Sequence, residues 1–124
     1  PDFPNLSDMW QTGAEYVAVY PNVLLGAQRD HCFVIILQPN TQTTTTEHIH
    51  LYYSTAQTDD ALRAKNAALW KVVFEEDIFV VEGMQKGRNA PHFDGGRFSP
   101  VMDGPTHCFH EWVAGRIETH RAKA

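Results

Sequence analysis

The stretch FEEDIFVVEGMQKG, residues 74–87, sets three acids, Glu75, Glu76 and Asp77, inside a run of Val, Ile and Phe. Carboxylates serve general acid–base chemistry and metal ligation. On an apolar face a carboxylate is costly unless it is protonated or has a cation, a metal or several donors beside it. On a helix turning about 100° per residue, Trp70, Val73, Phe74, Val80, Val81 and Met84 lie within roughly 60° of Asp77. Glu75 then points to the opposite side and Glu76 lies near the edge, so Asp77 is centred on the apolar stripe. Besides a metal or catalytic role, two readings stay open. Asp77 pairs with a Lys, Arg or His, or the β-branched Val72, Val73, Ile78, Val80 and Val81 make the segment a strand, on which Asp77 shares a face with Glu75 and Phe79.

Other polar side chains have suggestive spacing. His48 and His50 alternate and would share one strand face, as in many β-sheet metal sites. A polar sheet face or a cavity lining is the preferred account of them. His107 and His110 are three apart, and Cys108-Phe109-His110 is an isolated Cys-x-His. Glu82 lies about 140° and Gln85 about 80° from Asp77 on the helix wheel. Glu82 is read as a support residue and Gln85 is left unassigned. Trp70, Phe74, Tyr52 and Tyr53 are core by default and candidates for a pocket lining. His31 falls in a turn, His92 in a loop and His120 in the tail, and none is given a role.

These residues need elements to position them. The opening PDFPNLSDMWQTG reads as an irregular lead-in with a short helix around 8–13. Strand signals follow at 16–20, closed by Pro21-Asn22, then at 23–27, 32–37 and 41–53, with short links that favour an antiparallel meander. After Thr55 helix formers take over. A helix is expected from near Asp59, capped by Thr58 or Asp59, to about Lys86, with Gly87 as its stop. A Gly/Pro-rich loop leads to a second helix capped by Asp103 or Thr106, with Phe109, Val113 and Ile117 on one face. Strands followed by helices make an α+β fold with an antiparallel sheet.

The 124 residues, 43% hydrophobic and 20% charged, suit one globular domain or a piece of one. The formal charge of −5 argues against nucleic acid and anionic membranes as partners. No apolar run reaches the roughly 20 residues of a membrane span. Cys32 and Cys108 form no framework and are read as reduced thiols of a cytoplasmic protein. The start at Pro1, without Met, is read as a processed or engineered chain, or a fragment.

LWKVVFEEDIFVVEGMQKG resembles the C-terminal catalytic-domain helix of Rieske non-haem iron oxygenase large subunits, the ring-hydroxylating dioxygenases and related monooxygenases and demethylases. The shared pattern is Phe74, Glu76-Asp77, Glu82, Gln85 and Gly87. YVAVYPNVLLG resembles the family's strand–Pro-Asn–strand segment and CFHEWVAGRI its terminal helix, so the likeness runs from Glu15 to Ile117. It implies part of a helix-grip domain (the Bet v 1-like architecture) in which Asp77 is the carboxylate ligand of a mononuclear Fe(II), completed by two histidines. It also implies electrons from a Rieske [2Fe–2S] cluster, supplied through a reductase or ferredoxin, with O2 and a small aromatic or methylated substrate in a homotrimer. The sheet and terminal helix are expected to form the substrate cavity. The family's Asp-x-x-His-x4-His motif is missing here, and no Cys-x-x-His completes a cluster motif. Residues 1–124 are therefore expected to be the C-terminal portion of the catalytic domain, with one of three iron ligands, no cluster, and no activity alone.

Two other readings are carried alongside. A helix-grip binder of hydrophobic ligands needs no metal, and four strands with an open edge argue for missing partners. A metal hydrolase would need His48, His50 and Asp77 to converge.

Overall fold

The computed structural model describes residues 2–123. It divides into two compact units, Pro1–Lys86 and Gly87–Ala124. The first holds a 3-10 turn at Asp8–Gln11, strands β1 (Glu15–Val19), β2 (Val23–Ala27), β3 (His31–Pro39) and β4 (Thr45–Tyr53), and most of helix α1 (Asp60–Arg88). The strands form one antiparallel sheet in the order β1-β2-β3-β4, the expected meander and α+β class.

Short-range chemistry sets the links. Pro21 follows a cis peptide in the β1–β2 turn, and Asn22 reaches across to β3. Its side-chain amide donates to the Leu37 carbonyl at 2.9 Å, and the Leu37 N–H returns to the Asn22 carbonyl at 2.9 Å. The β4 strand is shorter than the expected 41–53. Thr41 Oγ1 accepts the N–H groups of Thr43 (3.2 Å) and Thr44 (3.1 Å), and this local turn captures residues that β propensity alone assigns to the ladder.

Register divides the sheet into two faces. Leu24 pairs with Ile35, Gly26 with Phe33, and His31 with Tyr53, so these side chains share the α1 side with Ile49 and Leu51. Phe33 and Ile35 are the buried hydrophobic core, with Phe33 only 4% exposed. The Phe33 ring lies directly over Gly26. A β-carbon built there would sit 2.2 Å from Cζ of the ring. Gly26→Ala is expected to destabilise the protein by about 1–3 kcal/mol in urea unfolding. Most of that loss should disappear in the Phe33→Leu background, and additive losses would show that the ring is not what requires glycine.

Helix α1 begins where expected. Asp59 Oδ1 accepts the Ala61 N–H at 2.8 Å as its N-cap. Arg63 ties this end to the preceding link, donating to the carbonyls of Thr58 (3.0 Å) and Ala56 (3.3 Å) and lying 4.8 Å from the Tyr53 ring centroid. The helix does not stop at Gly87. It runs 29 residues to Arg88, because neither Gly83 nor Gly87 takes the left-handed conformation that ends a helix.

The second unit contains the loop after α1, with Gly95 at φ +97°, and helix α2 (Gly104–Arg121). Asp103 precedes α2, but its carboxylate accepts the Ser99 N–H at 2.7 Å instead of capping the helix. On α2 Phe109 and Val113 are half-buried, while Ile117 stays exposed.

Candidate functional site

A cavity of about 1130 Å³ opens between the sheet and α1 in the first unit. Leu24, Ile35, Ile49 and Leu51 line it from the sheet, and Trp70, Phe74, Ile78 and Val81 from the helix. Behind two of these lining residues, buried Phe33 stands edge-on to Trp70 (4.5 Å, 64°) and to Phe74 (5.3 Å, 83°), and Trp70 stacks on Phe74 (5.4 Å, 19°). Edge-to-face and offset pairs of this kind favour one fixed arrangement of rings. The charged lining is Glu47, Glu75, Asp77 and Glu82 with Lys71 and Lys86, and Lys71 Nζ lies 3.6 Å from Glu75.

Asp77 lies on the cavity wall, and the helical reading of its segment is correct. Its predicted position at the centre of a buried stripe is not. Asp77 is exposed, as are Glu75 and Glu76. Val80 and Met84, assigned to the same stripe, are exposed as well, and Phe79 is 84% exposed. The cavity face of α1 centres on Phe74, Ile78, Val81 and Gln85, about 70° round from Asp77. The contacts of Trp70 and Phe74 with Phe33 set this phase, and wheel counting cannot see them. Asp77 is therefore a rim residue of the cavity that water can reach, and no ion pair among the described residues involves it. Glu82 and Gln85 line the same cavity, which assigns both to its wall.

The histidine pair falls elsewhere. His48 pairs with Ile36 and His50 with Val34, which puts both on the sheet face away from α1. His48 Nε2 is 2.9 Å from Gln38 Oε1. Glu47 and Ile49, not the histidines, reach the cavity. A site built on His48, His50 and Asp77 is therefore excluded by strand parity. Tyr52 is exposed beside them, whereas Tyr53 is half-buried on the α1 side. His107 and His110 flank Phe98 edge-on at 4.8 and 5.1 Å, an aromatic contact within the second unit. Among the described residues no three His, Cys, Asp or Glu side chains group as a metal site.

His31 is the polar residue that strand and turn reading passed over. It is buried, and its Nε2 accepts the indole N–H of Trp70 at 2.7 Å while Nδ1 lies 2.7 Å from Asp30 Oδ1. Buried Asn66 adds an amide 3.4 Å from Nδ1. A signal was present: His31 shares strand parity with Phe33 and Ile35, and Asn66 and Trp70 are an i, i+4 pair.

Both cysteines are free thiols. Burial raises the pKa of Cys32, whereas Cys108 is exposed. A raised pKa leaves less thiolate at a given pH, so iodoacetamide at mildly alkaline pH should modify Cys108 about tenfold faster than Cys32. Equal rates by peptide mass mapping would contradict the burial.

An antiparallel sheet and a long helix with a cavity between them define an α+β fold. The chain belongs to the family of the ring hydroxylating alpha subunit (catalytic domain), whose family model matches residues 1–119. Comparison with curated proteins and with solved structures finds no match. Membership makes it part of an enzyme family of oxygenase type, one that implies iron and Rieske cofactors in the complete enzyme. Among the described residues no helix is long and apolar enough to cross a membrane.

Proposed function

We propose that this chain is the C-terminal part of the catalytic domain of a Rieske-type oxygenase, and that Asp77 is a ligand of its mononuclear iron. The observation that carries this reading is a carboxylate, without an ion pair among the described residues, on the wall of a cavity lined also by Trp70 and Phe74. A bound Fe(II) would supply the O2 chemistry, and two histidines from outside residues 1–124 would complete the facial triad. The chain's own residues do the rest. Trp70 and Phe74, backed by Phe33, present an apolar wall to an aromatic or methylated substrate, and Ile35, Ile49 and Val81 keep water from its flank. Asp77 contributes a negative charge that offsets part of the metal's. Electrons would arrive from a [2Fe–2S] cluster through a reductase or ferredoxin, in a homotrimeric, cytoplasmic enzyme.

The first test is the intact mass of the protein as expressed, with an iron assay on the same preparation. A mass near three times 14.0 kDa with mononuclear iron is expected. A natural 14.0 kDa product without iron would overturn the oxygenase reading. It would leave a second one, favoured by the largely apolar cavity lining: a binder of hydrophobic ligands without catalysis.

A further inference from the structure

We propose that His31 is a positioning residue, the acceptor that fixes the Trp70 indole in the cavity wall. It deepens the reading of the cavity as a substrate site and rests on that reading for its functional consequence.

An indole N–H only donates, so the 2.7 Å contact with Trp70 makes His31 Nε2 the acceptor. The ring hydrogen of neutral His31 is then on Nδ1, which donates to Asp30 Oδ1 at 2.7 Å and so accepts nothing from the Asn66 amide 3.4 Å away. Asp30 selects the tautomer and the tautomer holds the tryptophan, a relay running from the start of β3 to the middle of α1. Tyr53, whose ring centroid is 6.1 Å from that of His31, packs the imidazole from β4. Fixing Trp70 also fixes its neighbours, because the indole is stacked on Phe74 and edge-on to Phe33. The hydrogen bond at its edge biases the indole against swinging into the cavity or withdrawing from it. The substrate therefore meets a wall of set orientation, with Asp77 seven residues further along the same helix.

The two nitrogens of His31 can be tested separately. His31→Asn keeps a donor near the Nδ1 position for Asp30 but leaves nothing at Nε2. His31→Gln places an amide oxygen near Nε2, where it can accept from Trp70. Tryptophan-selective 15N labelling of the full-length protein reports each indole N–H, and Trp70→Phe identifies the Trp70 resonance. Naphthalene is the binding probe, measured by equilibrium dialysis. In His31→Asn the Trp70 N–H is expected to exchange with water about tenfold faster and naphthalene affinity to fall about tenfold, the ratio produced by losing one buried hydrogen bond. His31→Gln should keep both near wild type. A Trp70 resonance that ignores His31→Asn overturns the contact. Equal losses in the two variants, at matched thermal stability, would make His31 a packing residue and overturn the positioning role. A wild type that binds no naphthalene would count against the aromatic-cavity reading alone, since the indole resonance reports the contact without ligand.

Discussion

Asp77→Ala in the full-length protein is expected to abolish mononuclear iron and lower turnover by more than about a hundredfold, because even support residues of metal ligands cost about 10–100-fold. The Rieske spectroscopic signal should persist. The structure adds a control that the sequence did not offer. Asp77 is exposed and makes no ion pair among the described residues, so the substitution should change thermal stability by no more than about 0.5 kcal/mol. A structural carboxylate would show the reverse pattern, with iron and turnover retained and stability lost. Iron loss at unchanged stability is what a ligand role requires, and full activity in Asp77→Ala would remove the assignment. Glu82→Gln is the companion variant. It lies on the same wall and should keep its iron, which separates one carboxylate's role from the charge of the cavity as a whole.

Phe33→Ala is expected to cost about 3–5 kcal/mol, the range for removing a buried aromatic ring. Phe33 is one of two buried hydrophobic residues among those described, and its ring meets Trp70, Phe74 and Tyr16. A domain holds only about 5–15 kcal/mol of net stability, so this single change takes a large share of it. Urea unfolding followed by tryptophan fluorescence gives the loss. A cost under about 1 kcal/mol would mean that the sheet and helix do not depend on this contact, since that is the size of an ordinary substitution. The vacated volume borders Trp70, so naphthalene affinity should fall together with stability. Gly26→Ala stresses the same contact from the other side by pushing the ring instead of removing it.

The structure weighs differently on the two alternatives considered. The hydrolase fails on parity, because alternate residues of a strand face opposite sides and β4 sends Glu47 and Ile49 to the cavity. The ligand binder keeps the cavity and dispenses with the carboxylate, so Asp77→Ala tests it as directly as it tests the oxygenase.

Local signals determined much of this protein. Val23–Ala27 came out with its expected bounds, as did the Asp59 cap and the order of four strands before two helices, because turn residues, caps and β-branched runs act over a few positions. The acidic pair, the spaced Gln85 and Gly87, and the Pro21-Asn22 turn were enough to indicate the family. Tertiary structure alone decided which side of α1 meets the sheet. That phase comes from Phe33 against Trp70 and Phe74, a contact between residues roughly forty positions apart in sequence, and it moved Asp77 from the centre of a stripe to the cavity rim. It also decided the role of His31. A histidine at a strand's first residue looks like part of a turn until Asn66 and Trp70 close over it, since burial and hydrogen-bond partners belong to the packed chain and not to any short window of it.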